Sequence, residues 1–216
     1  MIEKIVIQFI SGNYPLLKRL FVVLIWTTFL YLGYQLTNRF QLFEPHLLML
    51  FEFEKNIPFT VWTVLPYLLL VGGMYLPIFL NTPIVFIKSL YAIGFAVAIN
   101  YSIFILFPTV YPRPPTPEVV DFTSAIYQWL VSIDSPANCF PSGHVSVPGI
   151  GFWYLARQHK KWTWLYGLIF ILLVSTVLTT KQHYFIDIPA GLFTAIIGIM
   201  LAERFYKRRM VKLNER

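Results

Sequence analysis

Two short stretches hold most of the side chains that could do chemistry. One is Cys139-Phe140-Pro141-Ser142-Gly143-His144 and the other is His183-Tyr184-Phe185-Ile186-Asp187. Each lies where a polar segment gives way to an apolar run, the place where a membrane helix meets water. Proline, serine and glycine ahead of a helix leave backbone N–H groups unpaired, and with the helix dipole these form an anion seat. His144 falls in the first turn of that helix. His183 and Asp187 are four residues apart, so on a helix they share a face and the carboxylate can orient the imidazole. Two imidazoles, a carboxylate and a nest of N–H donors point to phosphoryl transfer. A neutral imidazole attacks phosphorus, a carboxylate on its other nitrogen fixes the tautomer, and a second imidazole protonates the departing oxygen. N–H donors and an arginine can spread the charge of the three equatorial oxygens without a metal. No Asp/Glu cluster with metal-ligand spacing accompanies these residues, and neither a metal nor a cofactor is expected.

The elements that must position these groups are membrane helices. The chain of 216 residues is 57% hydrophobic, 18% aromatic and 12% charged, with a mean hydropathy of +0.64. A water-soluble core of this size could not hide so much apolar surface, so part of the solvent is lipid. The net charge of +7 is no sign of nucleic acid. Much of it sits in Arg204, Lys207, Arg208, Arg209, Lys212 and Arg216, an ordinary cytoplasmic flank rather than a basic groove. The lone Cys139 allows no internal disulfide. The first apolar run has spanning length and no small-x-small cleavage site after it, so it reads as a membrane span rather than a cleavable leader.

Hydropathy predicts six spans in one all-α domain covering 1–216: 20–36, 57–80, 84–107, 143–158, 162–180 and 184–202. Residues 1–17 are mildly amphipathic and are expected along the interface, broken at Gly12-Asn13-Tyr14-Pro15. Pro66 and Pro77 should kink the second span. The loop 37–56 has room for a short surface or re-entrant helix, with Glu52 and Glu54 on a solvated edge. The proline-rich 108–117 predicts an extended path, and 122–133 a surface helix. The fourth span is the shortest and needs tilt or snorkelling to cross. Tyr14, Trp26, Trp62, Tyr111, Trp129, Trp153, Trp162 and Trp164 fall near predicted interfaces, where belt anchoring accounts for them.

Charge then orients the bundle. With a cytoplasmic N-terminus, the inner segments hold Lys4, Lys18, Arg19, Lys88, Arg157, Lys160, Lys161 and the six tail residues, 13 of the 17 Lys and Arg. The outer segments keep Arg39, Lys55, Arg113 and Lys181. The bias predicts both termini inside and the two histidine stretches outside, together with the proline-rich loop. A channel or transporter would place ionisable residues at mid-membrane, whereas here they gather at one interface.

The order Arg113-Pro114, Pro141-Ser142-Gly143-His144 and His183-x3-Asp187 resembles the type 2 phosphatidic acid phosphatase (PAP2) and vanadium haloperoxidase superfamily. The run Thr179 to Asp187 looks closest to the branch of inositol phosphorylceramide and sphingomyelin synthases. The resemblance implies that His183 is the nucleophile, Asp187 its orienting carboxylate and His144 the proton donor, with Arg113, Ser142 and the Gly143 backbone on the phosphate oxygens. It implies a lipid phosphate substrate met at the bilayer. Hydrolysis of a phospholipid or polyprenyl (di)phosphate comes first, and transfer of a phospho-head-group to a lipid hydroxyl second. Two positions depart from the superfamily pattern. A lysine seven residues before the Arg-Pro arginine is replaced by Leu106, and an arginine six before the nucleophile by Val177. Lys181 is the candidate substitute for one of these cations.

Overall fold

In the computed structural model, proline opens two of the long helices, where its missing N–H costs nothing. These are α2 (Pro15–Arg39) and α5 (Pro83–Leu106). The structure describes residues 2–13 and 15–214. Tyr14 and Arg216 of the sequence reading lie outside them, and the side chains of 2–4 and 210–214 are likewise undescribed. The remaining helices are α1 (Ile2–Ile10), α3 (Glu52–Lys55), α4 (Val64–Gly72), α6 (Phe122–Ile133), α7 (Gly143–Gln158), α8 (Thr163–Thr179) and α9 (Asp187–Asn214). The chain is mostly helical, and among the described residues five segments are long and apolar enough to cross a membrane: Pro15–Arg39, Val61–Phe79, Pro83–Leu106, Lys160–Thr179 and Asp187–Arg209.

The second of these is not one regular helix. Gly72-Gly73 and Pro77 weaken the α-helical ladder, and 3₁₀ turns at Val61–Thr63 and Gly73–Phe79 flank α4. It begins at Val61 rather than 57, because the Thr60 N–H is tied to the Thr179 carbonyl at 2.9 Å. Pro66 sits in the first turn of α4, where no kink is required. The last helix also starts later than hydropathy predicts, at Asp187, since Lys181 to Ile186 form a turn.

Within this bundle α7 is the central helix, packed by α5, α8, α9 and the Gly73–Phe79 segment. Its Ile150, Tyr154 and Leu155 join a core with Phe86, Ala96 and Ala202, while Val145 joins a second core with Tyr67, Val174 and Val177. Small residues permit close approach. A Cβ at Gly73 would meet Pro148 Cβ at 2.6 Å, and one at Gly198 the Ala92 carbonyl at 2.5 Å. Being sheathed by other helices, α7 needs no long lipid-facing run, and its 16 residues fall short of a free-standing span. On the side of the histidine turns, β1 (His46–Leu47) pairs in parallel with β2 (Thr109–Val110), a clasp absent from the sequence reading.

Candidate active site

The second histidine turn is built by the end of α8. Past Thr180, Lys181 adopts φ 54°, the left-handed position that glycine usually fills. Its N–H returns to the Leu178 carbonyl (3.2 Å) and that of Gln182 to the Val177 carbonyl (3.0 Å), closing a Schellman motif. The chain reverses here and presents His183 ahead of α9. His183 and Asp187 therefore do not share a helix face, although their i,i+4 spacing predicts one. They meet because Asp187, at the first residue of α9, reaches back over the turn. Its Oδ2 accepts from the Tyr184 N–H at 2.9 Å, as in a capping box, and lies 3.1 Å from His183 Nδ1.

Glu54 holds the same turn from outside. Its Oε1 accepts from the Phe185 N–H at 2.6 Å and its Oε2 from the Phe51 N–H at 2.8 Å. At 3% exposure it is no solvated edge; only Glu52 is, paired with Lys55 at 2.6 Å. A carboxylate three residues after a helix start is the one signal that could have marked Glu54. Tyr111, expected at the interface, is buried edge-on against Tyr184.

The hydrogen bonds of His183 define its tautomer. Nδ1 faces two acceptors, the Cys139 carbonyl (3.0 Å) and Asp187 Oδ2, so Nδ1 carries the proton. The lone pair is then on Nε2, which points at Ser142 Oγ (3.3 Å) and His144 Nδ1 (3.0 Å). Burial pushes the His183 imidazole down to about 4, against the opposing pull of Asp134 and the Cys139 carbonyl. The ring is thus neutral at pH 7. The two stretches are locked together by the Ser142 N–H on the Asp187 carbonyl (3.2 Å). Gly191 makes that contact possible, since a Cβ there would lie 2.5 Å from the Ser142 carbonyl oxygen.

The N–H nest is smaller than expected. The Val145 and Ser146 N–H groups both return to the Ser142 carbonyl, at 3.3 and 3.1 Å. No described residue accepts from the Gly143 or His144 N–H, so two donors of the first turn remain for an anion. His144 is held loosely, with Tyr67 Oη at 3.4 Å from both ring nitrogens. The 3.0 Å between the two imidazoles leaves no space for a phosphorus in line. His144 also lines a cavity of about 230 Å³.

Arg113 donates from Nη1 to the Asp134 carbonyl (2.6 Å), while Nη2 stands 3.4 Å from Asp134 Oδ2. Its charge also reaches His183. Lys181 does not join this group: its Nζ donates to the Glu54 carbonyl at 3.3 Å. Nor do the two departed positions. Val177 is wholly buried among apolar side chains, and Leu106 is 71% exposed at the end of α5. Cys139 is buried beside the site, its thiol on the Pro136 carbonyl at 3.1 Å and its pKa raised by desolvation. Cys139, His183 and Asp187 each bring a ligand-capable atom within 4.8 Å of the others. His183 Nδ1 and the thiol are both spent on carbonyls, however, and a hydrogen-bonded set accounts for the trio.

Among the described residues, five segments of membrane-spanning length accompany an oriented imidazole set against a second imidazole and a helix N-terminus, an arrangement suited to phosphate-ester chemistry. A family model described as the PAP2 superfamily matches residues 59–201, two thirds of the chain, and the chain belongs to that superfamily. Its members hydrolyse or transfer phosphate esters. No curated protein and no solved structure matches it.

Proposed function

We propose that this chain is an integral membrane enzyme that cleaves a lipid phosphate through a phosphohistidine, without a metal. Hydrolysis of a phospholipid or polyprenyl (di)phosphate is the first reading. The observation that carries it is the state of His183: neutral, with Nδ1–H held by a carbonyl and a carboxylate and the Nε2 lone pair facing Ser142 and His144. Attack by Nε2 forms the N–P bond as the lipid O–P bond breaks, and His144 protonates the leaving oxygen. Asp187 stabilises the imidazolium as it develops. The Gly143 and His144 N–H groups, Ser142 Oγ and Arg113 take the equatorial oxygens. Water activated by His144 then releases phosphate. A lipid hydroxyl could resolve the intermediate with the same residues, and the cavity beside His144 favours keeping this second reading.

The sixth span in this account is α7, about 24 Å long at 1.5 Å per residue and shielded by its neighbours from a hydrocarbon core of about 30 Å. The 13-to-4 distribution of Lys and Arg supports cytoplasmic termini and a site on the outer face. The test is purified enzyme in EDTA, given a panel of lipid phosphates with and without lipid alcohols. Turnover that survives EDTA and is blocked by vanadate supports the proposal. Turnover lost in EDTA and restored by magnesium overturns it.

A further inference from the structure

The segment 40–53, which leads from α2 into α3, runs beside the His183 turn, and its apolar residues alternate. Leu48 and Leu50 pack inward against Tyr111, Cys139 and Tyr184. Leu47, Met49 and Phe51 fall between and beyond them and are exposed, Met49 at 80%. The alternation is that of an extended chain, whose successive side chains go to opposite faces. β1 opens it, and Phe51 is still extended at φ −68° and ψ 152°. A strand with one face in water carries polar residues there, whereas this one is apolar on both faces. From Phe40 to Phe51 the only Asp, Glu, Lys or Arg is Glu44. The outward face also continues the flanks of two membrane-length segments. Leu36 and Phe40 are exposed at the end of α2 and just past it, and His46 stacks on Phe107 at 4.7 Å, next to the exposed Leu106 of α5.

The inward side grips the catalytic turn. The Leu48 N–H donates to Tyr184 Oη at 3.2 Å, and that hydroxyl donates to the Val110 carbonyl at 2.9 Å. Next to Glu54, the Phe53 ring stands edge-on to Phe185 at 4.9 Å, and Phe51 does so at 6.2 Å. All three rings are exposed, although Phe185 belongs to the turn between His183 and Asp187. The segment lies outside the residues matched by the family model.

We propose that segment 40–53 is a lipid-docking surface: its outward face lies in the acyl-chain boundary of the leaflet on the histidine side, and that contact steadies the turn carrying His183. Lipid chains take Leu47, Met49, Phe51 and Phe53 out of water. With its outer edge in lipid, Phe53 keeps its ring on Phe185 while the adjoining Glu54 keeps the Phe185 N–H. Lipid suits the face better than a second copy of the chain, because the leaflet that bathes Leu36 and Leu106 reaches the segment without a break. The lipid contact needs only the membrane spans. The effect on His183 rests on the phosphohistidine reading above.

The experiment places a bimane fluorophore on Met49→Cys in phosphatidylcholine nanodiscs, with wild type, whose Cys139 is buried, as the labelling blank. Bromines on the acyl chains should quench the probe more than aqueous iodide does. Iodide quenching as strong as that of the brominated chains puts the segment in water and overturns the proposal. Quenching by neither puts a protein, such as a second copy, over the face and overturns it too. The second arm reads charging from p-nitrophenyl phosphate, a soluble substrate whose delivery needs no lipid contact. Phe53→Gln should slow charging roughly 10–10²-fold, since a displaced turn takes the lone pair off the in-line path. The apolar Phe53→Leu should stay near wild type. Charging unchanged in Phe53→Gln, or lost equally in Phe53→Gln and Phe53→Leu, overturns the link between lipid contact and His183. Wild type that never charges overturns the phosphohistidine reading and that link with it, while the quenching still decides the lipid contact.

Discussion

The two histidines touch at 3.0 Å, yet the structure treats them in opposite ways. His183 is 4% exposed, its Nδ1 pinned by the Cys139 carbonyl and Asp187, and its backbone fixed by the Val177 carbonyl. The turn it stands on is clasped again by Glu54. His144 has only a distant Tyr67 hydroxyl besides His183, and it borders a cavity. A nucleophile gains from being fixed, because its lone pair must lie on the in-line path. A proton donor has to follow the leaving oxygen and clear the space that phosphorus fills. Rigidity on one side and freedom on the other are what two-step phosphoryl transfer needs.

The largest loss is expected at His183. His183→Ala should abolish turnover, because the neighbouring His144 has no carboxylate partner to orient it and support it as a phosphoryl acceptor. Asp187→Asn keeps the shape but leaves the imidazolium unsupported, and should cost about 10⁴-fold in kcat. His144→Ala, on the free side, should cost roughly 10²–10⁴-fold, the ordinary worth of general acid catalysis. Steady-state assays on one lipid phosphate rank all three.

A packing change should come next. Gly191→Ala pushes a methyl against the Ser142 carbonyl and should cost about 1–3 kcal/mol of stability, the scale of overpacking. Activity should fall with it, as the two motifs are prised apart. Thermal unfolding and kcat should shift together; a shift in Tm alone would mean that the Ser142–Asp187 contact does not align the site.

Titration sharpens the contrast without a mutation. With His183 pushed down to about 4, enzyme charging should stay level from pH 7 to about 5 and fall only as pH drops through about 4. The sign follows from the lowered folded value: between the ordinary value near 6.5 and 4, the native ring stays neutral while an unfolded one takes up a proton. Stability tied to this group is thus complete above 6.5 and declines below it. A charging limb centred at 6.5, read by rapid quench, would contradict this burial.

The smallest effect belongs to Lys181. The sequence offered it as a replacement cation, yet its backbone fills a left-handed helix-end position and its ammonium bonds the Glu54 carbonyl. Lys181→Gly should raise stability by about 1 kcal/mol and leave kcat within a factor of about two. A hundredfold loss would restore Lys181 to the phosphate site.

Long apolar runs were legible as helices, and so was the helical character of 122–133, because hydropathy and periodicity are local properties. The members of the site were legible as residue types placed where apolar runs begin. What eluded the sequence depends on partners far along the chain. The brevity of α7 makes sense only once α5, α8 and α9 enclose it. Glu54 is buried by a turn 131 residues away, and Asp134 accepts from Tyr34, 100 residues away. The β1–β2 clasp joins two-residue strands too short to leave a pattern. Likewise His183 and Asp187 meet across a turn, because the closure after Thr180 and not the i,i+4 spacing sets their geometry.

In the mechanism proposed above, His183 is the fixed nucleophile and His144 the mobile proton donor. The most direct measurement is trapping of labelled, acid-labile phosphoenzyme from p-nitrophenyl phosphate, whose leaving group needs no proton. Wild type and His144→Ala should both charge, and His183→Ala should not. Label retained in His183→Ala and lost in His144→Ala would reverse the two roles.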